Sequence, residues 1–190
     1  MNSLAPQLET ERLLLREFTL NDAPRVQELC SDFEIADTTA TIPHPYPEGA
    51  AEEWIKTHRP GFEAGELANF AVVLKESDEI IGTVGLVINK THSRAELGYW
   101  IGKEYWGRGY CTEAARALVD WGFKELSLNR IFACYYKRNP ASGRVQEKIG
   151  MKYEGTLRQH IKKWENYEDV AYMGILRSDW EGCRSNNQSS

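Results

Sequence analysis

One stretch sets the terms for the whole chain: Glu96 to Leu126, ELGYWIGKEYWGRGYCTEAARALVDWGFKEL. Its opening, Glu96–Ile101, is apolar and aromatic, the composition of a buried strand. The turn Gly107-Arg108-Gly109 follows. Beyond it Ala115, Leu118, Val119 and Gly122 recur at i, i+3, i+4 and i+7, the inward stripe of an amphipathic helix. In a strand, glycine turn and helix in that order, the first-turn N–H groups and the positive end of the helix dipole meet glycines that let a ligand approach the backbone. Such a turn suits phosphate. The P-loop pattern GxxxxGK(S/T) is absent, and so is a dinucleotide GxGxxG, because Thr112 stands at its last glycine. Taken alone, Gly-x-Gly reads more readily as a tight strand-to-helix turn.

The flanking residues are more specific. Trp106-Gly107-Arg108-Gly109-Tyr110-Cys111 resembles the acyl-CoA signature Q/R-x-x-G-x-G/A of the GNAT acetyltransferase superfamily. Glu-Leu-Gly-Tyr-Trp-Ile followed by Glu-Tyr-Trp-Gly-Arg-Gly-Tyr-x-Thr-Glu-Ala is similar to the RimJ/RimL branch, which acetylates the N-termini of ribosomal proteins. Trp106 in the first signature position is usual in that branch; Cys111 departs from Gly or Ala in the last. Asn139-Pro140-Ala141-Ser142 and Glu147-Lys148-Ile149-Gly150-Met151 resemble the branch's N-x-x-S and EK-x-G-F pieces. Order and spacing agree over roughly residues 8–180, and this span is expected to form one domain, with 181–190 a flexible tail.

The resemblance implies an acetyl-CoA-dependent N-acetyltransferase and assigns roles. Backbone groups of Tyr99, Trp100 and Ile101 would meet the acetyl and pantetheine portion and supply an oxyanion donor. N–H groups from Trp106 through Gly107, Arg108, Gly109, Tyr110 and Cys111 to Thr112 would cradle the pyrophosphate. Asn139 would bond the pantetheine amide, though Asn is equally suited to cap the helix that follows. Many GNAT enzymes carry a tyrosine acid seven residues after the position of Asn139; here that residue is Gln146, which cannot serve as an acid. Ser142 matches the serine that the branch places near the sulfur and is expected to act as thiolate donor; otherwise it is a first-turn helix serine. Glu96 matches a recurrent family glutamate and is the expected base, with Glu168, Asp169 or a water as rivals. Cys111 lies in the first turn of the helix, where the dipole would lower its thiol pKa, unless it is a packed, inert cysteine.

Composition narrows the rest. The chain has 190 residues, enough for one core, and 27% charged residues, ordinary for a globular protein. No apolar run is long enough to span a membrane, and the N-terminal residues lack a signal-peptide pattern. Cys30, Cys111, Cys134 and Cys183 are scattered, and neither cysteines nor histidines show metal spacing. The expected setting is a reducing cytoplasm, with no metal. A net charge of −5 argues against a nucleic-acid binder and weakly favours cationic substrates. The resemblance implies an amine acceptor: a ribosomal-protein N-terminus first, a polyamine, aminoglycoside or amino acid as alternative, handled by a monomer or homodimer. A non-catalytic acyl-CoA sensor and a nucleotide-binding module are the rivals from other classes.

Periodicity gives the order β-α-α-β-β-β-α-β-α-β-β. Strands are expected at 12–18, 68–75, 79–90, 96–101, 129–137, 152–158 and 169–176. Helices are expected from Asn21 or Asp22 to about Asp32, from Pro47-Glu48 to Pro60-Gly61, after the glycine turn, and over Ser142–Ile149. That pattern, with the resemblance, implies the GNAT fold: a mixed, mostly antiparallel α/β sheet of about seven strands, helices on both faces, and a V-shaped central splay that admits acetyl-CoA. Thr38–Pro47 is a proline-rich loop, and the resemblance implies that it would border the acceptor site; Tyr46 and Trp54 either contact substrate or pack the helix, and His58 is a packed or surface residue.

Overall fold

The computed structural model describes the backbone of residues 5–187 and the side chains of residues 5–182. In chain order the elements are β1 (Leu8–Glu9), β2 (Leu13–Arg16), α1 (Ala23–Cys30), α2 (Phe33–Thr38), α3 (Ala50–Ala64), β3 (Leu67–Leu74), β4 (Glu79–Asn89), β5 (Arg94–Ile101), α4 (Tyr110–Glu125), β6 (Arg130–Tyr136), α5 (Pro140–Lys148), β7 (Lys152–Lys163), β8 (Asn166–Leu176) and α6 (Arg177–Asn187). The strands form one eight-stranded sheet in the order β1-β2-β3-β4-β5-β6-β8-β7. Every pairing is antiparallel except β5 with β6.

Strand alternation builds two cores. On β3, Phe70, Val72 and Leu74 join the cluster that includes Ala115, Leu118, Val119 and Phe123 of α4. The intervening Ala71 and Val73 face the other way, with Val26 and Cys30 of α1 and Ala51 and Ile55 of α3. Helices therefore cover both faces. Fully burying each Leu or Phe of this kind stabilises the fold by about 1.5–3 kcal/mol.

The structure departs from the sequence reading in identifiable places. The sheet has eight strands because the two-residue β1 adds an edge. α2 is additional; Asp32 caps it by accepting from the Glu34 N–H at 2.8 Å. α3 continues past Pro60 to a left-handed Gly65 that closes its C-terminus. Pro60 deprives the Lys56 carbonyl of its partner, but Lys56 is exposed, so water serves. β7 is longer than expected, running to Lys163 and turning directly into β8. The expected tail from 181 is helical to Asn187; residues 188–190 lie outside the described residues. No helix among the described residues is long and apolar enough to cross a membrane.

Candidate active site

The site begins where the sheet divides. β5 and β6 pair only at Arg94↔Arg130, Ala95↔Ile131 and Glu96↔Phe132. Both strands continue, to Ile101 and Tyr136. The other edge of β5 stays paired with β4 through Gly82↔Ile101. From Leu97 onward the backbone groups of β5 that face β6 thus have no strand partner, which in a buried strand calls for another polar group. A cleft of about 310 Å³ lies at this opening. Tyr99, Trp100, Ile101, Trp106, Gly107, Gly109, Tyr110, Cys111, Thr112, Asn139 and Ser142 all line it. Of the residues to which the resemblance assigned cofactor-binding or catalytic roles, Arg108 and Glu96 do not.

The glycine turn closes one end. Gly107 and Gly109 have φ of 76° and 84°, the left-handed region that L side chains rarely enter. Gly109 is the N-cap of α4, and no side chain caps that end. At α5, by contrast, Asn139 accepts from the Ser142 N–H at 3.4 Å, the capping role weighed for it. The first-turn N–H groups of α4 therefore face the cleft without a protein acceptor, as an anion site requires. The Trp106 indole N–H donates to the Ile101 carbonyl at 2.5 Å and ties the turn to β5.

A buttress that no local pattern signals holds this turn. Glu113 of α4 accepts from the Thr10 hydroxyl at 2.6 Å, the Arg12 N–H at 2.9 Å and the Arg12 Nε at 2.8 Å. Arg12 Nη1 donates to the Arg108 carbonyl at 3.0 Å, and the guanidinium lies 4.5 Å from the Tyr110 ring centroid. Burial alone would raise the Glu113 pKa, but the hydrogen bonds from Thr10 and Arg12 outweigh it and hold the carboxyl below its usual value. Its stabilising contribution is therefore present above the unfolded carboxyl pKa and lost as pH falls through the lower folded value. Glu113→Ala is expected to cost about 1–2 kcal/mol, lowering Tm by about 2–8 °C at pH 7. The loss should shrink below about pH 4. Scanning calorimetry showing the same Tm for both proteins at pH 7 would contradict the buttress.

Of the two readings of Cys111, the packed cysteine is the one its surroundings favour. It packs partly buried against the main core, and burial pushes its pKa up to about 12 rather than down. Desolvation outweighs the helix dipole because the side chain is packed against the core. In the folded protein at pH 8, Cys111 is expected to resist iodoacetamide over a period in which the urea-unfolded chain labels fully. Rapid native labelling, read by peptide mass spectrometry, would overturn the packed assignment.

The cleft floor brings together three side chains. The Tyr99 hydroxyl lies 2.9 Å from Ser142 Oγ and 3.1 Å from the Ser142 carbonyl. Gln146 Nε2 donates to the Tyr99 oxygen at 3.1 Å and to the Cys134 carbonyl at 3.4 Å. Gln146 is 1% exposed. Burial, and then the neighbouring Cys111, raise the Tyr99 pKa, so the phenol keeps its proton. The sequence reading used only the backbone of Tyr99 and did not single out its side chain.

Glu96 stands on the opposite face of β5 from Tyr99, as two-residue alternation demands. The Cys134 thiol donates to its Oε1 at 3.5 Å. The structure thus separates Glu96 from Ser142, one on each side of the splay. The rival carboxylates are engaged elsewhere: Glu168 accepts from Arg138 Nε at 2.8 Å, and Asp169 accepts from the Gln159 N–H at 2.8 Å. Arg138 also grips Asp37 at the end of α2. Trp54 and His58 pack around Phe18, with centroids 5.2 Å from its ring. Burial pushes the His58 pKa down to about 4. Neither these two nor Tyr46 lines the cleft, which instead takes Ile35, Thr38 and Thr39 from the α2 region. Arg108 is exposed, its guanidinium 5.9 Å from the Tyr105 ring centroid. Among the described residues no cluster of three or more His, Cys, Asp or Glu is placed to hold a metal.

Comparison with known proteins agrees with this geometry. Residues 12–152 match the model of the acetyltransferase (GNAT) domain. The chain is 34% identical over 176 residues to an uncharacterized N-acetyltransferase, p20, of Bacillus licheniformis, covering 92% of this chain and 98% of the relative. Among solved structures it is similar to a spermidine N-acetyltransferase of Vibrio cholerae in complex with CoA and spermine, with TM-score 0.79, 25% identity, and coverage of 90% of this chain and 99% of that one. It is also similar to a ribosomal-protein-S5-alanine acetyltransferase of Vibrio fischeri, with TM-score 0.80, 25% identity, and coverage of 92% and 98%. The split sheet, the uncapped helix behind a glycine turn and this match over most of the chain lead to one conclusion: the chain belongs to the GNAT family and is an N-acetyltransferase.

Proposed function

We propose that the chain carries acetyl from acetyl-CoA to a primary amine, with both substrates bound together, and that the acceptor is an N-terminal α-amine of ribosomal-protein type. One observation carries the reading: the uncapped N-terminus of α4, the unpaired edge of β5 and the Ser142 hydroxyl all border one cleft. The donor set fits acetyl-CoA. N–H groups of Tyr110, Cys111 and Thr112 suit its pyrophosphate, and the β5 edge from Leu97 suits the amides of its pantetheine arm. A second depression, bordered by Gly109, Thr112, Arg116 and Lys148, continues past the turn.

Acetyl-CoA supplies an activated thioester. The chain's own groups do the rest. A β5 N–H donates to the acyl oxygen as it gains charge. Ser142 donates to the sulfur as it departs. Glu96, across the splay, takes the amine proton directly or through water. An α-amine with pKa near ~8 is appreciably neutral at pH 7, whereas a lysine amine near ~10.4 is not, so one modest base suffices.

A polyamine is the second acceptor class, favoured by the spermidine acetyltransferase among the relatives. Acetyl-CoA-dependent thiol release, measured with N-terminal peptides, spermidine and aminoglycosides, separates the two. Peptides with a free α-amine are expected to give the highest kcat/KM. A higher value for spermidine would move the acceptor, and no release with any amine despite tight acetyl-CoA binding would make the chain a sensor.

A further inference from the structure

We infer that Tyr99, backed by Gln146, is a positioning residue that aims the Ser142 hydroxyl at the departing sulfur. The inference rests on the donor role proposed for Ser142 and adds a residue class that role does not require.

The geometry fixes the direction of the Gln146 bonds, and Tyr99 is assigned as donor in the Tyr99–Ser142 pair, where either hydroxyl can give the proton. The Cys134 carbonyl can only accept, so the Gln146 atom 3.4 Å from it is the amide nitrogen. That nitrogen's second hydrogen then points to the Tyr99 oxygen at 3.1 Å. With its oxygen accepting, the phenol has one proton to give, and its nearest acceptor is Ser142 Oγ at 2.9 Å; the Ser142 carbonyl is farther, at 3.1 Å. With Tyr99 as donor, Ser142 Oγ accepts from it, and from Gln146 Nε2 at 3.4 Å, and keeps its own proton for a further partner. Gln146 is buried and Ser142 lines the cleft, so that further direction is the cleft. The result is a donor chain, Gln146 N–H to Tyr99 O–H to Ser142 O–H, in which each link polarises the next. No proton leaves Tyr99. Its raised pKa suits a group that must donate a hydrogen bond without ionising.

The arrangement also gives Gln146 a purpose. It cannot act as an acid, yet it is fully enclosed and its Oε1 has no hydrogen-bond partner among the described residues. An unpaired buried carbonyl is costly. A leucine would fill similar space without that cost, whereas glutamine also gives Tyr99 a donor that only a polar residue can provide.

The test is a double-mutant cycle on Tyr99→Phe and Ser142→Ala. It reads kcat with whichever of an N-terminal peptide or spermidine gives the higher wild-type rate, and acetyl-CoA Kd by calorimetry. Tyr99→Phe keeps the ring and its packing. It is expected to lower kcat about tenfold while leaving Kd within about twofold, a split that simple loss of structure would not produce. In the Ser142→Ala background it should have no further effect. Gln146→Met should give a smaller loss that also disappears there. A wild-type kcat for Tyr99→Phe, or losses that multiply in the double variant, would overturn the inference while leaving the Ser142 reading intact. A wild-type kcat for Ser142→Ala alone would overturn both.

Discussion

Replacing Gly109 with valine is expected to abolish measurable acetyl-CoA binding. Gly109 is the N-cap of α4 at φ 84° and ψ −2°. A β-branched residue there costs about 1–3 kcal/mol of backbone strain, and relief of that strain rotates the first-turn N–H groups off the phosphates. Each hydrogen bond to a charged group contributes about 1.5–3 kcal/mol, so losing two weakens binding by more than ~10²-fold. Steric filling is a lesser effect, because the added Cβ would meet only Arg12 Nη2, at 3.5 Å. The chain contains its own control. Gly49 caps α3 with nearly the same geometry, φ 77° and ψ −5°, and its Cβ would meet nothing within 4 Å. Gly49→Val incurs similar strain away from the cleft. It should lower stability while leaving acetyl-CoA affinity unchanged. Calorimetry that found equal affinity in Gly109→Val and wild type would remove the glycine turn from the site.

Ser142→Ala is expected to lower kcat by ~10²-fold with little change in acetyl-CoA Kd. The magnitude is that of deleting one preorganised donor to a developing negative charge. Binding should survive because the Ser142 N–H, which Asn139 caps, belongs to the backbone and is retained in the variant. Gln146 Nε2, 3.4 Å from Ser142 Oγ, is held by Tyr99 and the Cys134 carbonyl and does not replace the hydroxyl. Rapid-quench measurement of a single turnover would separate the chemical step from product release. A wild-type rate for that step would give the donor role to water.

The central strand, glycine turn and helix were legible because three signals agree there: an apolar run, paired glycines and a helical stripe. Strand order in the meander was legible for a similar reason, since short polar turns separate Leu67–Leu74, Glu79–Asn89 and Arg94–Ile101. The turn from β7 to β8 was not. It places Trp164 at φ 54°, with no Gly or Asn at that position to announce it. Long-range contacts decide it instead: the Trp164 indole N–H donates to Asp37 at 2.9 Å, its ring stacks on Phe33 at 5.8 Å, and Lys163 donates to the Ile42 carbonyl at 3.0 Å.

The site divides along the same line. Residues contiguous with the turn, most of which line the cleft, could be named as candidates because their signals are local. The Arg12–Glu113 buttress spans 101 positions and left no local pattern. The packing of the Cys111 side chain was equally hidden: being in the first turn of a helix gives the dipole, but not whether the thiol is packed against the core. Tyr99 was counted for its backbone because alternation alone does not say which face of β5 meets α5.

The most direct test is a ¹⁵N–¹H correlation titration of the assigned protein with acetyl-CoA. The amides of Gly107 to Thr112 and of Tyr99 to Ile101 are expected to show the largest shift changes, with those of the α3 cap at Gly49 unmoved. Saturable binding whose largest changes lie outside both segments would contradict the placement of the cofactor in the split of the sheet.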